Sequence, residues 1–401
     1  MTHSVIKVSN NLNSILSSGK KRISFLFGAG TSMYLGDDLK EYNIPGVDKL
    51  TDTVLANLDV KFKDTVEAIK NEKFSIFNVE TLLTNLNMRI EVVGAETLNG
   101  LNKELLLELK KDIIIEMIKI LKKHLNIYIE KKDNLLPHIR LCNWLKDTQR
   151  EFPVEIFTTN YDMLIEMALE CKKIKFSDGF YGSLHPFFDS SSTTLNSKDD
   201  CVKLWKIHGS LGWIESHNGV VKSAEGENLM VLPSILKYRD SRKEPYTFFL
   251  DRLASFIKTD DCVLVTSGYS FNDQHINEVI VDSLNSSKNS LVIGLVFDET
   301  SDKKYRLDID CNLRKLALEN KRLWLFGKKS AIIDGNYGEY DYSNISKDNL
   351  EMTSNIFESD YIEGENKDDN RVVSAELKIV DSTSLFMFLE SMRLEQKNEK
   401  Q

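Results

Sequence analysis

From Val154 onward the chain alternates short apolar runs with longer amphipathic stretches, and this alternation limits the fold more than any other feature. The apolar runs have the length of buried strands and stand in VEIFTT, CVKLWKIHG, NLMVLPS, CVLVTSG, SLVIGLVF and RLWLF. Helical apolar spacing separates several of them, as in YTFFLDRLASFI and DQHINEVIVDSLN. Strands that alternate with helices pair in parallel, so the pattern predicts an α/β protein with a doubly wound parallel sheet.

The N-terminal part supplies one more strand and then a long helical block. The run ISFLF, residues 23–27, is short, apolar and followed by glycine, as a buried strand is. Between residues 51 and 150 the apolar spacing is helical throughout. We therefore expect residues 1–50 and 151–330 to form a Rossmann-like α/β domain, with residues 51–150 as an inserted helical module.

The net charge of −9 comes entirely from the C-terminal part of the chain. Residues 331–401 hold 16 acidic and 7 basic side chains, whereas the first 330 residues hold 45 of each. A neutral body offers no electrostatic basis for independent nucleic-acid binding. We expect residues 331–401 to be an acidic segment that ends in a short helix, and a candidate docking element for a basic partner surface.

Composition also bounds the location and the metal chemistry. The N-terminus lacks the basic start and apolar stretch of a signal peptide, and no apolar run reaches the length of a membrane span. The cysteines are five and widely spaced, without a C-x-x-C pair. Neither a disulfide framework nor a zinc site is therefore expected, and the expected location is the cytoplasm.

Polar clusters follow four of the predicted strands, where ligands bind in open parallel sheets. They are Gly28-Ala29-Gly30-Thr31-Ser32, Thr158-Thr159-Asn160-Tyr161-Asp162, His208-Gly209-Ser210 and Gly268-Tyr269-Ser270-Phe271-Asn272-Asp273. Met33 occupies the position of the third glycine of a dinucleotide fingerprint, which disfavours an ordinary NAD-dependent dehydrogenase. Taken singly, Asn160 and Asp162 would cap a helix, and Asp273 is expected to cap the helix that follows it.

In this order the four clusters resemble the sirtuin (Sir2) family, over a stretch from Ile23 to Phe326. The chain departs from the deacylases of that family, because it lacks their four-cysteine zinc module and the stretch that follows their glycine turn. The interval between Asn160 and His208 is also longer. FLFGAGTS, FTTNYD, KLWKIHGS and GYSFND instead resemble the zinc-less Sir2-like NAD-hydrolysing modules of bacterial anti-phage defence systems.

The resemblance implies that NAD is a substrate, and it assigns roles to particular residues. Asn160 would orient the ribose and the attacking water, Asp162 would fix the loop or polarise the nicotinamide side, and His208 would contact the ribose hydroxyls or act as a base. The glycine turn would hold the pyrophosphate, with the Ser32 hydroxyl as a donor. The residues expected to bind NAD are Gly28, Ala29, Gly30, Thr31, Ser32, Thr159, Gly268, Ser270 and Asn272.

The function implied by the resemblance is NAD⁺ hydrolysis by an anti-phage effector that depletes cellular NAD. The implied partners are further copies of this chain, bound through the helical module, and a HerA-type ATPase or DNA translocase. Two alternatives stay open at this point. One is an NAD-dependent protein deacylase, which the missing zinc module disfavours, and the other is a non-catalytic sensor of NAD or ADP-ribose within a defence complex.

Overall fold

The computed structural model describes residues 1–72, 77–94, 96–97, 100–184, 186–193, 201–216, 219–223, 228–230, 244–297, 305–343, 345, 347–362 and 371–398. Its strands are β1 (Thr2–Ser4), β2 (Arg22–Phe27), β3 (Glu155–Thr158), β4 (Phe176–Ser177), β5 (Phe180–Tyr181), β6 (Phe187–Phe188), β7 (Val202–Lys206), β8 (Gly209–Ser216), β9 (Gly219–Lys222), β10 (Asn228–Met230), β11 (Cys262–Ser267), β12 (Leu291–Leu295), β13 (Leu323–Phe326), β14 (Ser330–Ile333), β15 (Asn336–Asp341), β16 (Phe357–Ile362) and β17 (Arg371–Leu377). Its α-helices are α1 (Val5–Ser17), α2 (Val47–Asn57), α3 (Lys63–Lys70), α4 (Val79–Val92), α5 (Lys103–Leu121), α6 (Leu125–Ile129), α7 (His138–Asp147), α8 (Leu164–Cys171), α9 (Tyr246–Lys258), α10 (Gln274–Ser286), α11 (Arg306–Ile309), α12 (Cys311–Glu319), α13 (Lys347–Thr353) and α14 (Ser382–Asn398).

The large sheet runs in the order β1-β15-β14-β13-β12-β11-β2-β3-β7-β4. From β13 to β4 all neighbouring strands pair in parallel, as the alternation of strands and helices predicted. Among β2, β3, β7, β11, β12 and β13, taken as first to sixth, the order is 3-2-1-4-5-6, which is the strand order of the Rossmann fold. The predicted α/β fold class is therefore confirmed.

The point where this order reverses lies between β2 and β11. Register pairs Phe27 with Ser267 at the carboxyl ends of the two strands. The chain continues from β2 towards β3 and from β11 towards β12, on opposite sides of this point. In open α/β sheets the crevice that binds ligands lies at such a reversal, beyond the carboxyl ends of the strands. The first and fourth polar clusters of the sequence thus meet at the position where open α/β sheets bind ligands.

Two helical layers cover the sheet, because alternate side chains of each strand point to opposite faces. Phe25 and Phe27 of β2 pack on one face, where their ring centroids lie 5.8 Å from Trp144 of α7 and 5.6 Å from Phe386 of α14. Leu26, between them, is buried on the other face with Phe249 of α9. The central strand is therefore apolar on both sides, which explains why its sequence is a continuous apolar run.

The helical block contains a core of its own. Side chains of α2, α3, α4 and α5 form one buried cluster that includes Val54, Leu83 and Ile113. The later helix α7 packs on the sheet instead, through Trp144. No strand lies between residues 47 and 150 among those described, as the helical spacing predicted.

The C-terminal segment contributes strands as well as the predicted helix. Strands β14 and β15 extend the large sheet in antiparallel pairing, and β16 and β17 form a hairpin. Helix α14 is buried against α1 and α7 through Leu385, Phe386 and Leu389, which have no exposed surface. The predicted helix at the end of the segment is therefore confirmed, and the role of the segment as a docking element stays a prediction.

A second, antiparallel sheet has the order β10-β8-β9-β6-β5. Its strands β8, β9 and β10 follow β7 in the chain, whereas β5 and β6 precede β7. The sequence predicted a strand in NLMVLPS; β10 covers its first three residues, and residues 231–234 lie outside the described ranges. Across the ranges that the structure describes, we find no helix long and apolar enough to cross a membrane.

Candidate active site

The glycine turn after β2 is built against the loop after β11. The amides of Gly28 and Gly30 donate to the carbonyl oxygens of Ser267 and Gly268, each at 3.0 Å. A Cβ atom on Gly28 would lie 2.5 Å from the Gly268 carbonyl oxygen, and one on Gly268 would lie 2.5 Å from the Thr31 nitrogen. Glycine is therefore required at the crevice so that two backbone segments can touch.

Most backbone amides of the glycine turn already donate hydrogen bonds within the protein. Besides the two glycine amides, the Thr31 amide donates to Gly28 and the Ser32 amide to Ala29, because residues 29–31 form a single 3₁₀ turn. The Ser32 hydroxyl donates to Asp162 Oδ2 at 2.8 Å, and Ser32 is 1% exposed. Ser32 thus supports the turn from inside, and a direct contact of its hydroxyl with a phosphate stays a prediction.

Asn160 connects the loop after β3 to this turn. Its Nδ2 amide donates to the Gly28 carbonyl at 3.0 Å, to Thr31 Oγ1 at 3.1 Å and to Ser32 Oγ at 2.9 Å. A backbone carbonyl can only accept, so these contacts determine which end of the side chain is the amide. The Oδ1 oxygen has no hydrogen-bond partner among the described residues and is the end available to a ligand.

Asp162 holds the same loop and is buried. Its Oδ2 accepts from Ser32, and its Oδ1 accepts from the Leu164 amide at 3.2 Å, at the start of α8. Both carboxylate oxygens are thus engaged by the protein. Of the two roles that the resemblance implies for Asp162, the contacts favour fixing the loop.

A buried ion pair lies directly beneath this loop. Lys206, at the end of β7, has its Nζ 2.9 Å from Glu166 Oε1 and also donates to the backbone carbonyl of Asp162. Lys206 is 2% exposed, and the Glu166 side chain is 9% exposed. An ammonium and a carboxylate buried together hold α8, β7 and the loop of Asp162 in one arrangement.

The helical block reaches the site through His124. Its Nδ1 lies 2.5 Å from the Leu121 carbonyl, so Nδ1 carries the proton, and Nε2 accepts from the Met163 amide at 3.0 Å. Burial lowers the pKa of His124, which keeps the ring neutral and able to accept. A side chain from outside the sheet thereby satisfies the amide next to Asp162.

His208 lies in the turn between β7 and β8, where the chain leaves the large sheet for the small one. Its Nε2 is 3.1 Å from Asp273 Oδ2, and both side chains are largely buried. Asp273 Oδ1 accepts from the amides of His275 and Ile276 and caps α10, as the sequence predicted. The second, third and fourth polar clusters therefore all reach the crevice side of the sheet.

Residues 154–319 match the family model of the SIR2-like domain. No curated protein matches the chain. The matched region begins at β3 and includes the loop of Asn160, the turn of His208 and the loop of Gly268, whereas the glycine turn precedes it. Enzymes that act on NAD are typical of this domain family.

The remaining residues predicted to bind NAD form two groups, an exposed rim and a buried support. Ala29, Ser270 and Asn272 are exposed, and Gly30, Thr159 and Gly268 are partly exposed. Gly28 and Thr31 are buried behind them and shape the turn. Trp205 and Trp213, which flank His208 in sequence, are core residues that pack on Phe249, as expected.

Metal ligands were not expected from the cysteine spacing. Within the described ranges, no three or more His, Cys, Asp or Glu side chains are grouped so that they could hold a metal ion. The five cysteines are unpaired thiols.

The sequence did not identify Lys206, Glu166 or His124 as residues of this site. Two of them carry a signal in the sequence. Lys206 lies in the apolar strand VKLWK and Glu166 lies in the apolar helix LIEMALEC. Because unpaired charges are not buried, a charge in each of these elements indicates a buried ion pair. His124 has no such signal, since only its tertiary contact with Met163 distinguishes it from a surface histidine.

Proposed function

We propose that the chain is an NAD⁺ hydrolase that cleaves the bond between nicotinamide and ribose. The observation that carries the proposal is the orientation of Asn160. Its amide end is held by three acceptors of the glycine turn, and its Oδ1 is left for a ligand at the crevice where the strand order reverses. An amide oxygen placed there can accept a hydrogen bond from an attacking water and orient it.

Cleavage of this bond requires that the protein position the substrate and the water and provide a base. Cleavage passes through an oxocarbenium-like state at the ribose, and nicotinamide leaves as a neutral molecule. Asn160 would orient the ribose and the water, and His208 would accept the proton that the water loses. Asp162, Ser32 and the Lys206–Glu166 pair would hold the loop of Asn160 in place.

NAD is the substrate in this proposal, and the exposed rim residues would contact it. They are Ala29, Thr159, Ser270 and Asn272, which are exposed or partly exposed in the loops that follow β2, β3 and β11. The buried Gly28, Thr31 and Ser32 would act indirectly by shaping the turn. No zinc is required by any of these roles.

We further propose that the enzyme is a cytoplasmic anti-phage effector that depletes NAD. The resemblance of the four motifs to defence modules supports this role, and it implies a HerA-type ATPase as partner. The helical block, with its separate core, is the proposed site of homo-oligomerisation. Sedimentation analysis tests that part: a monomer at all concentrations would remove the oligomer from the proposal.

Chromatography of NAD⁺ incubated with purified protein tests the activity. Wild type should release nicotinamide and ADP-ribose, and Asn160→Ala and His208→Ala should lose about 10²-fold or more of the rate. Asn57→Ala and His3→Ala are matched controls, because Asn57 on α2 and His3 on β1 lie outside the site and should keep full activity. Equal turnover by Asn160→Ala and wild type would reject the proposed site.

The same assay separates the alternatives. A deacylase would form O-acyl-ADP-ribose only when an acylated peptide is supplied. A sensor would bind NAD without turnover in every condition, including with a co-purified partner.

A further inference from the structure

Asp273 has a different partner on each carboxylate oxygen. Oδ1 accepts from the amides of His275 at 3.2 Å and Ile276 at 3.3 Å, and so caps the 13-residue helix α10. Oδ2 lies 3.1 Å from His208 Nε2. Helix α10 therefore fixes the orientation of the Asp273 carboxylate, and this carboxylate fixes the orientation of the His208 imidazole.

The contact between Asp273 Oδ2 and His208 Nε2 also determines which ring nitrogen carries the proton. A carboxylate oxygen only accepts, so the ring must donate, and Nε2 carries the proton. The neutral ring then has its lone pair on Nδ1. A carboxylate on one ring nitrogen also stabilises the positive charge that forms when the other nitrogen accepts a proton.

Neighbouring side chains hold the loop of Asp273 in place. Tyr269 holds the loop, donating from its hydroxyl to Asn277 Oδ1 at 2.9 Å and to the Asp273 carbonyl at 3.3 Å. Tyr161 and Tyr269 both interact electrostatically with Asp273, and burial raises the pKa of each phenol well above its usual value. Both phenols therefore stay neutral beside the charged carboxylate.

We infer that Asp273 is a positioning residue for catalysis, which holds His208 in the Nε2–H tautomer so that Nδ1 is the general base. This inference rests on the proposed NAD⁺ hydrolysis. In the step, Nδ1 takes a proton from water while the water oxygen bonds to the anomeric carbon. The electron pair of the breaking bond goes to the nicotinamide nitrogen, and Asp273 stays ionised throughout.

Asp273→Asn provides a sharp test because asparagine caps helices as well as aspartate does. The amides of His275 and Ile276 require the asparagine oxygen, so its NH₂ group faces His208 Nε2. That group only donates, and Nε2 must become the acceptor. The variant should therefore keep its unfolding temperature while the His208 proton moves to Nδ1.

The first measurement is the tautomer itself, read from ring ¹⁵N shifts of histidine-labelled protein, with His208 assigned by comparison with His208→Gln. With a neutral ring, wild type should show the Nε2–H form and Asp273→Asn should show the Nδ1–H form. An Nδ1–H form in wild type, or the same tautomer in both proteins, would overturn the inference. This readout needs no NAD turnover, so it stands even if the proposed function fails.

The second measurement is the NAD cleavage rate of single and double variants. Asp273→Asn should lower kcat about 10²-fold or more with little change in KM, because it alters the base and not the rim. His208→Ala/Asp273→Asn should be no slower than His208→Ala alone, since one residue acts through the other. Independent, multiplying losses would show that Asp273 does not act through His208.

Asp273→Ala separates capping from positioning. It removes both functions and should lower the unfolding temperature, which Asp273→Asn should not do. If kcat falls only in the variant that loses stability, the role of Asp273 is structural and the inference is wrong.

Discussion

The amide of Gly30 donates to the carbonyl oxygen of Gly268 at 3.0 Å, joining the loops of two strands that are 235 residues or more apart in sequence. Gly268 has a φ of +63°, and a Cβ atom there would lie 2.5 Å from the Thr31 nitrogen. Gly268→Ala should therefore combine backbone strain with a clash against backbone, and lower the free energy of unfolding by about 2–5 kcal/mol.

Gly94 is the matched control for this substitution. Its φ is +55°, but nothing lies within 4 Å of an added Cβ atom. Gly94→Ala should cost only the strain, about 1–2 kcal/mol. Chemical denaturation of both variants measures the difference, and equal losses would show that the two loops do not depend on this contact.

Replacing only one partner of the buried Lys206–Glu166 pair should destabilise the protein strongly. Lys206→Met leaves the Glu166 carboxylate buried without its cation, which should lower the free energy of unfolding by about 3–5 kcal/mol. The double variant Lys206→Met/Glu166→Leu should recover much of that loss, because no charge then stays buried. Urea denaturation of the three proteins tests this order.

Lys61→Met provides the surface comparison, since Lys61 and Glu108 form a pair whose side chains are 43% and 46% exposed. Water solvates both charges there, so the loss of stability should be much smaller than that caused by Lys206→Met. A double Lys206/Glu166 variant as unstable as Lys206→Met would contradict the argument.

Helix α14 should prove necessary for folding. Phe386 is fully buried, with its ring centroid 5.6 Å from that of Phe27 and 5.3 Å from that of His138. Phe386→Ala should lower the free energy of unfolding by about 3–5 kcal/mol, whereas its neighbour Met387, which is half exposed, should tolerate alanine within about 0.5 kcal/mol. A Phe386→Ala protein as stable as Met387→Ala would show that α14 is a dispensable tail.

His138 should make the protein sensitive to acid. Burial lowers its pKa to about 4, and neither ring nitrogen has a hydrogen-bond partner among the described residues. The ordinary pKa of histidine is 6.5, so between pH 6.5 and pH 4 the unfolded chain binds a proton that the native ring does not. The free energy of unfolding therefore falls as the pH falls. The loss should accumulate to about 3 kcal/mol at pH 4 and be absent above pH 7.

His138→Leu removes the titrating ring while keeping an apolar side chain beside Phe386. Its unfolding free energy should depend less on pH than that of wild type between pH 7 and pH 4, as followed by urea denaturation at each pH. Parallel pH profiles for the two proteins would assign the acid sensitivity to other groups, such as His124, whose pKa burial also lowers.

Local patterns predicted the elements that are regular and buried. The parallel strands β2, β3, β7, β11, β12 and β13 were predicted because each is a short apolar run that ends in polar residues. The cap of α10 was predicted because Asp273 precedes an amphipathic stretch. The small sheet was not predicted, because its strands β5 and β6 have two residues each, and an alternation of apolar and polar residues cannot be recognised over that length.

The sequence by itself determined the class of fold and the order of the four motifs, because periodicity and turn residues act over a few neighbouring positions. Only the tertiary structure decided that Asn160 bonds to Gly28, that His124 supports the loop of Asp162 and that α14 is part of the core. These contacts join residues 37 or more positions apart, and no local pattern specifies which distant partner satisfies a buried group.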